Sequence, residues 1–143
     1  MWRKNRMGSE KLYENKIKSY LESIGVYPFG TASQNITTPI IGYYEKRFGG
    51  GQFAKSGLPD MHVVIQGHSF EFEIKAPNGK PSELQLKNLD LIVKAGCNGY
   101  ITVESSVTKY RLQKWIETKY PQYAHIPVID FEILKNLCEL CFL

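Results

Sequence analysis

The chain has 143 residues and a mass of 16.4 kDa, the size of one domain built round one core. Its residues are 43% hydrophobic, 22% charged and 13% aromatic, a globular mixture that excludes a disordered tail, a collagen-like repeat and a coiled-coil rod. The net charge of +4 is lopsided, because residues 1–80 hold eleven Lys and Arg against seven Asp and Glu while residues 81–143 hold seven of each; that surplus suits a phosphate-backbone partner and suits a solvated surface equally well.

Residues 1–8 read as a basic arm. No apolar segment follows Met1-Trp2-Arg3-Lys4-Asn5-Arg6, so no signal peptide is expected, and no apolar run approaches the ~18–20 residues of a membrane span. Ser9 is a fitting N-cap for an amphipathic helix over residues 10–24, which Gly25 stops. At about 100° per residue, Tyr13, Ile17, Tyr20, Leu21 and Ile24 fall on one stripe. Residues 26–42 carry Pro28, Gly30, Pro39 and Gly42 among Thr, Ser and Asn and read as irregular chain. A strand over 43–48 ends at Gly49-Gly50-Gly51.

The strongest hairpin signal comes next. Met61-His62-Val63-Val64-Ile65 is strand-like, Gln66-Gly67-His68-Ser69 is turn-like, and Phe70-Glu71-Phe72-Glu73-Ile74-Lys75 alternates. Ser82 N-caps a second helix that runs through Ala95, with Gly96 behind it. A strand over 99–103 and a third helix over 107–119 follow, before Pro121. The tail, 131–143, is an apolar helix that needs a surface to bury against, either the chain's own core or a second copy. The order predicts a mixed α/β fold, one sheet flanked by helices in a single domain.

Cys97, Cys138 and Cys141 are too few and odd in number for a disulfide framework, which points to a reducing cytosol. Cys138 and Cys141 form a C-x-x-C, but zinc needs two further ligands at metal spacing, and Leu137 and Leu140 are interleaved with them. Packing is the expected role, with a zinc or redox module as the rival.

Chemistry concentrates in Ser56-Gly57-Leu58-Pro59-Asp60 and Glu73-Ile74-Lys75. In the second strand Phe70, Phe72 and Ile74 share one face, and Glu71, Glu73 and Lys75 the other. A turn centred between Gly67 and His68 sets Asp60 opposite Lys75 and His62 opposite Glu73. Asp60 and Glu73 are then diagonal neighbours with Cα atoms about 7–8 Å apart, close enough to converge on one divalent cation. Phosphodiester hydrolysis needs an activated water and relief of charge at phosphorus. A bound Mg²⁺ or Mn²⁺ supplies both, and an adjacent lysine adds positive charge without competing for the metal.

Pro59-Asp60 followed by Glu73-x-Lys75 resembles the PD-(D/E)xK pattern of restriction-endonuclease-like nucleases. The wider run, Lys55-Ser56-Gly57-Leu58-Pro59-Asp60, Phe72-Glu73-Ile74-Lys75-Ala76-Pro77, Ser82-Glu83-Leu84-Gln85 and Lys94-Ala95-Gly96, is similar to the VRR-NUC branch, in particular to its small stand-alone phage and prophage members. The resemblance spans roughly residues 10–104. It implies a restriction-endonuclease-like core and a metal-dependent DNA endonuclease acting on branched DNA such as Holliday junctions. It further implies a homodimer, in the cytoplasm of a bacterial or phage-infected cell. Asp60, Glu73 and the backbone carbonyl of Ile74 would hold the metal, Lys75 would orient or deprotonate the attacking water, and Gln85 would buttress the site.

Ser82-x-x-Gln85 is also a capping box, which accounts for Gln85 without catalysis; the two roles are compatible. The family's early helical glutamate, which reaches the metal through water, matches Glu14. This residue lies at the rim of the apolar stripe and is preferred to Glu10, which the helix dipole explains. His62 shares the carboxylate face in the expected register and reads as a half-exposed strand residue. His68 reads as a turn residue and Glu71 as a solvated one. Lys46, Arg47 and Lys55 flank the glycine run and are the expected DNA-backbone contacts. The downstream Gly99-Tyr100-Ile101-Thr102-Val103 lacks the arginine pair for which the branch is named, and the stretch from Pro121 onward lies outside the resemblance. The rival from another functional class is a DNA-binding protein that keeps the fold without the activity.

Overall fold

The computed structural model describes residues 8–30, 36, 38–47 and 57–142. Its helices are α1 (Ser9–Ser23), α2 (Glu83–Lys94), α3 (Ser106–Lys119) and α4 (Phe131–Leu140). Its strands are β1 (Val26–Pro28), β2 (Gly42–Lys46), β3 (Met61–Ile65), β4 (His68–Ile74), β5 (Asn98–Thr102) and β6 (Val128–Ile129). The strands form one six-stranded mixed sheet in the order β1-β2-β3-β4-β5-β6. The pairs β2–β3 and β3–β4 are antiparallel, and β1–β2, β4–β5 and β5–β6 are parallel. The expected mixed α/β sheet with flanking helices is therefore present. Among the described residues no helix is long and apolar enough to cross a membrane.

Two apolar clusters cover the two faces of the sheet. On one face Tyr13, Ile17 and Leu21 of α1 and Phe131, Leu134 and Cys138 of α4 pack on Met61, Val63, Phe70, Phe72 and Ile74. On the other, Leu86 and Leu89 of α2 and Leu112 and Ile116 of α3 pack on Ile101 and Val128. The terminal helix thus caps the chain's own core, with its start fixed by Asp130 accepting the Ile133 N–H. Cys138 is wholly buried there, and burial pushes its thiol up to about 12, so it packs as a small apolar residue.

Local chemistry explains the departures from expectation. Helix α1 begins one residue early, with Gly8 as N-cap and no side-chain cap bond, so Ser9 is helical. The stretch expected to be irregular contains β1, an edge strand of three residues. It is too short to show alternation, and its Pro28 is tolerated because an edge strand needs no second ladder. The hairpin loop is tighter than expected: Gln66 and Gly67 alone turn the chain, both at positive φ (47° and 82°) as in a type I′ turn, and His68 already belongs to β4. The pairing is accordingly Met61 with Phe72 and His62 with Glu71, not His62 with Glu73. This slip moves every partner by two residues along β4, so the faces are unchanged.

Candidate active site

The β3–β4 register, carried one step beyond Met61, sets Asp60 directly against Glu73. Asp60 is anchored from both sides. Its Oδ2 accepts the Ile74 N–H at 2.8 Å, and its carbonyl accepts the Arg47 N–H at 2.7 Å. The preceding loop is seated on α2, where Asn88 Nδ2 donates to the Gly57 carbonyl at 2.9 Å. Gly57 has φ +77°, and a Cβ there would lie 2.7 Å from Leu84 Cγ, so the Gly-x-Pro-Asp run requires its glycine.

Glu73 faces α2 and is only 1% exposed. Gln85 Nε2 donates to its Oε2 at 3.0 Å, and Lys75 Nζ lies 3.4 Å from the same oxygen. Gln85 also completes the capping box, with its Oε1 accepting the Ser82 N–H and its N–H donating to Ser82 Oγ. The capping box and the hydrogen bond to Glu73 coexist in this one side chain. The other Glu73 oxygen, Oε1, is buried and has no hydrogen-bond partner. Burial first, and the adjacent Asp60 charge second, push the Glu73 carboxyl up to about 8, against the pull of Lys75. A carboxyl held this way needs either a proton or a cation.

Across the sheet end, Glu14 of α1 is 3% exposed and binds three ammonium groups: Lys11 and Lys18 at 2.9 Å and Lys46 at 2.8 Å. Burial alone would raise its pKa, but the hydrogen bonds from Lys46, Lys11 and Lys18 outweigh it and bring it to about 2. Lys46 Nζ is also 3.8 Å from Asp60 Oδ1. The site therefore straddles the sheet end, with Asp60 central, Glu73, Lys75 and Gln85 toward α2, and Lys46 and Glu14 toward α1.

Asp60, Glu73, Lys75, Gln85 and Glu14 are thus brought into one neighbourhood, although Glu14 arrives already neutralised by lysines. Lys46 is part of that network, while Lys55 lies outside the described residues. Arg47 donates to Glu71 and to the Pro59 carbonyl, and Glu71 also hydrogen-bonds His62 Nδ1. Glu71, expected to be solvated, instead has a side chain only 15% exposed and braces the loop before Asp60. The correct hairpin register would have exposed this His62–Glu71 pair in the sequence.

The donor set fits a hard divalent cation. Asp60 and Glu73 are oxygen ligands, one buried oxygen lacks a partner, and Mg²⁺ is commonly held by one or two carboxylates with water completing its shell. Among the described residues no three His, Cys, Asp or Glu side chains form a ready-made ligand cluster, so the carboxylate pair carries this fit. No protein-family model matches the chain, and neither a curated protein nor a solved structure shows a match to it.

Proposed function

We propose that the chain is a divalent-metal-dependent DNA endonuclease of the VRR-NUC branch, built on a restriction-endonuclease-like core and acting on branched DNA. The observation that carries the reading is the unpartnered, buried Oε1 of Glu73, set against Asp60 with the Lys75 ammonium beside it. Structural ion pairs seldom leave a buried carboxylate oxygen without a donor; here a cation would fill that position, and in its absence a proton shared with Asp60 would.

In this reading Asp60, Glu73 and the Ile74 carbonyl hold one Mg²⁺ or Mn²⁺. When bound, the cation lowers the pKa of a water and polarises the scissile phosphate. The Lys75 ammonium would orient the attacking water by donating to its oxygen, and the proton lost by that water would pass to solvent. Gln85 fixes the Glu73 carboxylate through Oε2, leaving Oε1 for the cation. Glu14 holds Lys46 next to Asp60, and the water-mediated contact with the cation that the resemblance implies would require a lysine ammonium to give way. Lys46 and Arg47 would contact the DNA backbone, Arg47 from its bracing position on Glu71, and Lys55 is the further contact that the resemblance suggests. Two copies facing a four-way junction complete the proposed arrangement. The exposed Leu140 and Phe142 at the end of α4 are apolar groups a second copy would cover.

The test is incision of labelled four-way junction, 5′ flap and plain duplex DNA with Mg²⁺, Mn²⁺ or EDTA. The reading requires metal-dependent cutting that ranks branched DNA above duplex. Salt-sensitive binding without cutting of any substrate would leave a DNA-binding protein and reject the enzyme.

A further inference from the structure

Beside the carboxylate centre lies a group of residues that the proposed hydrolysis does not use. Phe29, just beyond β1, is 68% exposed, and its ring centre lies 5.3 Å from that of Tyr43 on β2. Tyr43 is itself exposed, and its ring centre is 6.3 Å from that of His62. A cleft of about 400 Å³, within the size range of small-ligand sites, opens beside Phe29. Lys18, Pro28, Phe29, Tyr44, Glu45 and Lys46 line it. Lys18 and Lys46 both converge on Glu14, and with Lys11 they set three ammonium charges against that one carboxylate. Of the residues lining the cleft, Lys18 and Lys46 are cationic and Glu45 is anionic, although both lysines also bind Glu14. Lys46 also reaches toward Asp60, so the cleft opens directly beside the carboxylates.

We infer that this cleft seats one unpaired nucleotide of the substrate strand, with its phosphate against Lys18 and Lys46 and its base stacked on Phe29. The inference rests on the nuclease reading and narrows its substrate to DNA that offers an unpaired nucleotide beside the cut. An ammonium binds phosphate as a point charge, and an aromatic face accepts any base, so the seat selects strand state and not sequence. Paired bases stacked in a continuous duplex hide the face that Phe29 would cover. A single-stranded tail presents it, and a four-way junction does so only where pairing at its centre opens.

The experiment measures binding of the full-length chain in EDTA to a blunt duplex and to the same duplex carrying a short single-stranded tail with 2-aminopurine. The wild type should bind the tailed DNA more tightly and quench the 2-aminopurine. Phe29→Ala should lower affinity for the tailed DNA by about 5-fold or more, while leaving the blunt duplex unchanged. Because Phe29 is exposed, the substitution spares the core, and Phe29→Tyr should restore the quench. An unaltered tail preference in Phe29→Ala, or an equal loss on both DNAs, would overturn the seat. This binding needs no cleavage, so failure of the nuclease reading would appear separately, as absent metal-dependent cutting with the tail preference intact.

Discussion

Glu73→Gln is the substitution whose consequences the structure specifies most fully. In the metal-free protein the Glu73 carboxyl titrates near 8 instead of its ordinary 4.5, because burial and the neighbouring Asp60 both disfavour its charge. A folded-state pKa raised in this way contributes stability that is complete below the ordinary pKa and is lost as pH rises through about 8. Between about pH 5 and about pH 8 the loss assignable to this group amounts to about 3 kcal/mol, taking 1.36 kcal/mol per unit. Glutamine copies the shape and neutrality of the protonated acid and cannot ionise. It also keeps an oxygen that can accept the Gln85 N–H. Chemical denaturation of both proteins in EDTA across that pH range should show the variant's stability advantage widening by about 3 kcal/mol, and saturating Mn²⁺ should narrow it again by favouring the wild type. Parallel pH profiles for the two proteins would refute the claim that Glu73 is a buried, strained carboxyl.

Other consequences are equally concrete. Near neutral pH Glu73 is mostly protonated, so Mn²⁺ binding should release close to one proton per site; calorimetry in buffers of different ionisation enthalpy measures this, and binding without proton release would contradict the assignment. Glu14, held near 2 by its three lysines, contributes stability that is present above its ordinary pKa and lost as pH falls toward 2. Glu14→Gln should therefore cost about 3 kcal/mol at neutral pH, at 1.36 kcal/mol per unit, and little near pH 2, and an equal cost at both would refute the lysine clamp. Gly57→Ala places a Cβ 2.7 Å from Leu84 Cγ at φ +77° and should cost about 1–3 kcal/mol in unfolding free energy; an unchanged denaturation midpoint would mean that the loop is not seated on α2.

How far the sequence revealed this arrangement depended on the range of the interactions involved. Helices α2, α3 and α4 announce themselves through local signals, the Ser82 capping box and the spacing of apolar residues, and their positions agree with those signals to within a few residues. Strand β1 has three residues including Pro28, and β6 has two, so neither is long enough to show a period; parallel pairing with β2 and β5 makes them strands. The convergence of Asp60 and Glu73 survived a wrong turn because the register error was an even number of residues. The same error concealed the pairing of His62 with Glu71. The lysine clamp on Glu14 joins α1 to β2, and no pattern within either segment specifies that contact.

The proposed function stands or falls with Asp60, Glu73 and Lys75 as a metal-dependent phosphodiesterase centre. The most direct measurement is single-turnover incision of a labelled four-way junction by wild type, Asp60→Ala and Lys75→Ala, with Mn²⁺ or with EDTA and with DNA binding followed in parallel. Such a centre requires cutting by wild type in Mn²⁺ and none in EDTA, with a loss of about 100-fold or more in both variants while binding is retained. Cutting by either variant at the wild-type rate would contradict it.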